Sequence, residues 1–235
     1  MPFPFFFFDS TMILLIPPLL LALWAQYRVK SSYAHFSKVG TRSGLTGKDV
    51  ALHILQDAGV DPASCGLEPI PGHMTDHYDP TSRTLRLSED VYHGRSVAAL
   101  GIAAHEVGHA IQHARAYAPL MLRNVVYPVC SLGSSLAFPL FFIGLILPFA
   151  FSPILVQAAI WLFAAAVFFT VITLPVEFNA SSRALAALSQ GGYLTPEEMG
   201  GARKVLNAAA LTYVASTAMA IMELVRMLLI AQSRD

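Results

Sequence analysis

Charge is scarce in this chain. Only 13% of its 235 residues are Asp, Glu, Lys or Arg, against roughly 25% in an ordinary soluble domain. The shortfall points to a membrane protein. The 15 basic residues are cancelled by 15 acidic ones. Without a basic excess the chain lacks the electrostatic footprint of a nucleic-acid binder, and no nucleic-acid partner is expected. Cysteine is nearly absent. Cys65 and Cys130 have no CxxC spacing, which excludes a zinc ribbon or a redox pair built from them. No internal repeat is visible. The leading Met1-Pro2-Phe3-Pro4-Phe5 has no positive region, and no small-residue cleavage site follows. The first apolar stretch is therefore read as a retained anchor, not a signal peptide.

Apolar sequence is what the chain has in excess, at 55%. A membrane helix needs about 20 mostly apolar residues. The expected organisation is an anchor over residues 10–27, a soluble part over 28–122, and a membrane hairpin over 125–175 (spans 125–149 and 153–175, turning near Ser152). A second soluble segment over 176–207 and a last span over 208–230 complete it. Pro17-Pro18 suggest a kink in the first span, and Trp24, Tyr27, Arg28 and Lys30 an interfacial anchor. Arg28, Lys30, Lys38 and Arg42 follow that span. Arg115 and Arg123 precede the second, and Arg183, Arg203 and Lys204 lie between the third and fourth. The hairpin tip has no Lys or Arg. By the positive-inside rule both soluble parts face the cytoplasm of a multi-pass cell-membrane protein. Four spans put the two parts on one side in either orientation, so residues from both can build one site.

Local signals are clear in places. Thr46, with Asp49 three residues on, caps a helix expected over 47–58 and ended by Gly59. Asp79-Pro80-Thr81-Ser82 reads as a turn. Thr84-Leu85-Arg86-Leu87-Ser88 alternates as a short strand, one that an extended substrate could join by strand addition. Thr195-Pro196-Glu197-Glu198 is a helix start with Thr as N-cap, Pro at N1 and Glu at N3.

The sharpest feature is His105-Glu106-Val107-Gly108-His109, inside a helix expected over 96–116. Residues four apart share a helix face. His105 and His109 can converge on one zinc ion, while Glu106 reaches the metal-bound water as general base. A catalytic zinc takes three protein ligands and keeps one position open. His113 is a poor third. It lies roughly 12 Å from His105 along a straight helix, so it is read as a polar cleft residue. Glu177 is the better candidate, being the only acid between Glu106 and Glu197, where the third span emerges. With it the site has the two-His, one-Glu set of thermolysin. Ser181, one turn after Glu177, can bond the free nitrogen of a ligand His, and Asn179 is the alternative for that task. Candidates for stabilising an oxyanion are His73, His77, Tyr78, His113 and Arg183.

The stretches Ala104 to His113 and Pro175 to Ser181 resemble the bacterial membrane-bound neutral zinc metallopeptidases of the YugP type. Ser43-Gly44-Leu45-Thr46-Gly47, Asp76-His77-Tyr78-Asp79-Pro80 and Leu85-Arg86-Leu87-Ser88 are similar to that family too. The resemblance covers nearly the whole chain. It departs at Asn179 and Ser182, where the family usually has Asp and Arg. It implies His105 and His109 as zinc ligands, Glu106 as catalytic base and Glu177 as third ligand.

The expected fold is a mainly α membrane protein, with about four transmembrane helices and a small α+β cytoplasmic zincin-like part. The expected function is a membrane-bound zinc metalloendopeptidase. It binds one Zn²⁺ per chain and cleaves a protein or peptide substrate at the membrane surface with a zinc-activated water. Two rivals differ in class. An intramembrane-cleaving metalloprotease would carry the motif inside a spanning helix with an Asp ligand, yet spans two to four hold no Asp. A non-catalytic zinc-stabilised scaffold would have no need of Glu106.

Overall fold

In a computed structural model that describes residues 10–147 and 151–233, the chain is a mainly α membrane protein with a small three-stranded sheet. It divides into two units. One comprises Met1–Trp24, Leu122–Leu174 and Thr212–Asp235, the other Ala25–Met121 and Pro175–Leu211.

Among the described residues, four helical stretches are long and apolar enough to cross a membrane: Ser10–Phe36, Ala118–Ile146, Ser152–Gln190 and Pro196–Gln232. The first opens as a 3₁₀ turn over Ser10–Leu15 and continues as α1, Ile16–Phe36. Pro17 and Pro18, where a kink is expected, sit in the first turn of α1, directly after the 3₁₀ turn gives way to the α-helix. Within the apolar unit, Ala137, Phe141 and Leu145 recur every fourth residue along α5, Ala118–Ile146. They pack against Val156, Ile160, Phe163 and Val167 of α6, Ser152–Gln190. Each helix turns one apolar stripe inward and leaves Leu132, Trp161 and Phe168 exposed, as lipid-facing residues would be. The expected turn between these helices falls largely on residues 148–150. It lies outside the described residues, as do the end of the span expected over 125–149 and the first nine residues.

The helices also run past their apolar stretches. α6 continues through Pro175 to Gln190. The last helix, α7, Pro196–Gln232, starts well before residue 208. The stretch expected as a soluble segment over 176–207 is thus built from two helix extensions and a short turn. Thr195 caps α7 as its sequence suggests: its hydroxyl accepts from Glu198 N–H at 3.3 Å, and its own N–H donates to the Glu198 carboxylate at 2.8 Å.

The second unit holds α2, Gly47–Asp57, capped by the reciprocal Thr46–Asp49 bonds. It also holds β1, Gly66–Ile70, β2, His77–Asp79, and β3, Thr84–Ser88, then the short α3, Glu89–Tyr92, and α4, Val97–Ala114. Ser96 caps α4 by accepting from Ala99 N–H at 3.2 Å. The alternation of β3 buries Leu85 and Leu87 completely, worth roughly 1.5–3 kcal/mol each. They join a core with Ile54 and Leu55 of α2, Leu100 and Val107 of α4, and Ala184 and Leu188 of α6.

The sheet order is β1-β3-β2. β1 runs parallel to β3, from Gly66 opposite Thr84 to Ile70 opposite Ser88. β2 runs antiparallel on the other side, His77 opposite Arg86. The expectation that β3 receives an extended substrate is therefore overturned. Both of its edges are paired, and Ser88 N–H, beyond the β2 ladder, donates to Asp76 Oδ1 at 2.7 Å.

Candidate metal centre

Two helices of the second unit build the site. α4 presents His105 and His109 one turn apart, and α6 presents Glu177 and Ser181 one turn apart. What lets them meet is Gly108. A β-carbon there would stand 2.7 Å from the Ala180 carbonyl oxygen and 3.1 Å from the Ala180 α-carbon. Only a residue without a side chain permits so close a helix crossing.

At this crossing His105 Nε2 lies 3.3 Å, and His109 Nε2 3.5 Å, from the same Glu177 oxygen, Oε2. The three residues each bring one donor atom to within 4.8 Å of the others. Two ligands held about 2.1 Å from a tetrahedral ion stand about 3.4 Å apart. The observed separations match that value and exceed the range of good N–H···O hydrogen bonds. The donors, two imidazole nitrogens and a carboxylate oxygen, are those of a catalytic zinc site. Glu177 is 4% exposed and His109 8%, so the carboxylate lies away from bulk water. Burial alone would drive the proton off His109. The neighbouring Glu177 carboxylate, aided by Glu106, outweighs that and raises its pKa above the ordinary value. The pocket thus favours positive charge, as a cation site must.

The outer nitrogens of both rings are held. Ser181 Oγ lies 3.2 Å from His105 Nδ1. His109 Nδ1 lies 3.0 Å from Gln112 Oε1. Gln112 is fully buried and donates through Nε2 to the Val176 carbonyl at 2.8 Å and to Asn179 Oδ1 at 3.0 Å. Asn179 Oδ1 also accepts from Arg183 Nε at 2.7 Å. A guanidinium can only donate, so the direction of this chain is fixed from its far end. The Asn179 oxygen faces Arg183 and Gln112, Gln112 spends both amide hydrogens on oxygens, and its own oxygen accepts Nδ1–H of His109. Nε2 is left with its lone pair toward Glu177, as a metal ligand requires.

The other sequence candidates lie elsewhere. His113 Nδ1 meets Tyr78 Oη at 2.8 Å, beside a small cavity of about 200 Å³ that also includes Cys65 and Arg83. Burial pushes the Tyr78 phenol up to about 12, so it stays protonated. His77 is exposed on β2 with Nδ1 2.8 Å from the Thr75 carbonyl, and exposed His73 pairs with Asp90 at 2.7 Å. None of the three histidines hydrogen-bonds to His105, His109 or Glu177 among the described residues. Glu106, 8% exposed, accepts no hydrogen bond from another described residue. α4, which carries the motif, is not among the four helical stretches long and apolar enough to cross a membrane. Gln112 was overlooked in the sequence. Its signal was an uncharged polar side chain in an apolar helix, one turn past His109.

The model of a protein family described as "Putative neutral zinc metallopeptidase" matches residues 11–232. The chain is 48% identical over 217 residues to the "Putative membrane protease YugP" of Bacillus subtilis (strain 168), covering 92% of this chain and 94% of that protein. No solved structure matches.

Proposed function

The chain belongs to the neutral zinc metallopeptidase family, and from that premise we propose that it is a membrane-bound zinc metalloendopeptidase. The proposed ligands are His105, His109 and Glu177, with the site on the cytoplasmic side. The observation that carries the reading is the pair of Nε2 atoms 3.3 and 3.5 Å from one Glu177 oxygen.

Bound there, zinc would supply Lewis acidity, making a water acidic at its open position and polarising a peptide carbonyl. Glu106 is placed one residue after His105 and has no hydrogen-bond partner to give up among the described residues. It takes a proton from the attacking water as the C–O bond forms. It then returns that proton to the leaving amine as the C–N bond breaks. Ser181 and Gln112 hold the two imidazoles so that Nε2, not Nδ1, faces inward. The cytoplasmic placement follows from the Lys and Arg residues that flank the spans on the side of both ligand-bearing segments.

The test is zinc content and cleavage of a quenched fluorescent peptide, measured on detergent-purified full-length protein. Wild type and Glu106→Gln should each hold one zinc per chain, with turnover in Glu106→Gln lower by about 10²–10⁴-fold. Glu177→Ala should lose both. Full zinc retention by Glu177→Ala would sink the ligand assignment, and full turnover by Glu106→Gln would sink the general base.

A further inference from the structure

Two arginines of this protein are matched to acids. Arg86 pairs with Asp79 and Glu68, each at 2.7 Å, and Arg226 with Glu223 at 3.0 Å. Arg115 and Arg183 stand together instead. Neither has a carboxylate within ion-pair distance among the described residues, and both line one groove of about 680 Å³ between α2, the end of α4 and α6. Arg183 is held in place. Its Nε–H goes to Asn179 at 2.7 Å, and its guanidinium carbon lies 6.0 Å from the Tyr117 ring centre. Its two terminal amino groups remain for a ligand. Arg115, just past the end of α4, has no described side-chain hydrogen bond.

The one acid on the groove wall is already engaged. Asp57 accepts the Tyr193 hydroxyl at 2.6 Å, and Tyr193, also lining the groove, keeps its proton because burial and Asp57 push its pKa up to about 12. Two guanidiniums against one engaged carboxylate leave the groove net positive. Gln190 adds an amide to its wall, and Ile111 an apolar surface.

We propose that this groove binds a phosphate-bearing anion, clasped between Arg115 and Arg183. Paired guanidiniums with free terminal N–H groups suit phosphate oxygens, which each can meet in bidentate fashion. The groove is far larger than a lone phosphate, and its size suits a phosphate carried on a larger molecule. Position in the chain points the same way. Arg115 lies three residues before the apolar helix α5, and Arg183 eight residues after Pro175 on α6. Basic pockets beside membrane spans are where anionic lipid headgroups bind. The site is distinct from the metal cluster and does not depend on peptidase activity.

The experiment is calorimetric titration of the full-length zinc-loaded protein in detergent. Two probes are used, inorganic phosphate and a short-chain phosphatidylglycerol kept below its micelle concentration. Wild type should bind at least one of them saturably, at one per chain. Arg115→Gln should weaken that binding at least tenfold with zinc content unchanged, and Arg115→Lys should recover part of it. Arg115 is the chosen position because Arg183 also anchors the Asn179–Gln112–His109 chain. Tighter binding of the lipid identifies a headgroup as the source, and equal binding a free phosphate. Saturable binding that ignores Arg115→Gln would place the anion elsewhere, the metal included, and overturn the proposal, as would no saturable binding of either probe.

Discussion

Replacing Gly108 by Ala should weaken zinc binding although no ligand is touched. The added β-carbon would stand 2.7 Å from the Ala180 carbonyl oxygen, roughly 0.7 Å short of ordinary contact. The obstacle is helix backbone, so no side chain can swing away. α4 and α6 must part, and they carry the histidines and Glu177 respectively. The separations of 3.3 and 3.5 Å across the cluster would widen by a similar amount, while metal–ligand distances are held to about 0.2 Å. Overpacking of this kind costs about 1–3 kcal/mol, and Ala regains up to about 1 kcal/mol over Gly in a helix. The fold should therefore survive, destabilised by up to about 2 kcal/mol, while zinc affinity falls at least tenfold, or about 1.4 kcal/mol. Gly101→Ala is the control. It lies on the same helix, but its β-carbon would meet Ala202 Cβ at 3.5 Å, an ordinary contact, so it should keep its zinc and gain slightly in stability. Competition with a chromophoric chelator reads the affinity, and thermal unfolding reads the stability. Wild-type affinity in Gly108→Ala would refute the claim that this crossing sets the ligand geometry.

Two further outcomes are expected. Gln112→Ala should lower zinc affinity about 10–100-fold, because it strands His109 Nδ1–H and takes one donor from the Val176 carbonyl and one from Asn179 Oδ1. Ser181→Ala removes a single 3.2 Å contact and should cost less than tenfold, so equal losses in the same chelator assay would contradict this ranking. In the sheet, the Asp79 carboxyl is held well below its ordinary pKa by hydrogen bonds from Arg86, then Ser82 and Thr81. A depressed carboxyl pKa stabilises the fold above the unfolded value of about 3.9, and the contribution is lost as pH falls through the folded value. Melting temperature below pH 4 should therefore fall more steeply in wild type than in Asp79→Asn, and parallel curves would show that this carboxylate adds nothing.

The sequence was most legible where a pattern was long or a residue type was scarce. Four apolar runs announced four long helices, and reciprocal side chains at Thr46 and Thr195 marked two helix starts that the structure reproduces. β1 and β2 were not foreseen. β1 carries Pro69 and does not alternate, which its edge position tolerates, and three residues of β2 are too few to show a period of two. The continuation of α6 to Gln190 was missed because hydropathy falls at Pro175. Its extension is held by a different pattern, Ala180, Ala184 and Leu188, each four residues on and each almost fully buried.

Legibility in the site follows the same logic. His105 and His109 stood out by spacing, Glu177 because an almost uncharged chain offered no other acid nearby, and Ser181 because it lies one turn from Glu177. Gln112 had no charge and no place among metal ligands, and so it was passed over. Yet a buried amide costs several kcal/mol unless its hydrogens and oxygen are all met. An apolar helix that carries one must have partners waiting for it. Those partners are Val176 and Asn179, on the very helix that supplies Glu177, and the third is His109 itself. A polar, uncharged side chain one turn beyond a ligand histidine in an apolar helix is therefore evidence of what fixes the ring. Here its amide also ties α4 to the helix that supplies Glu177.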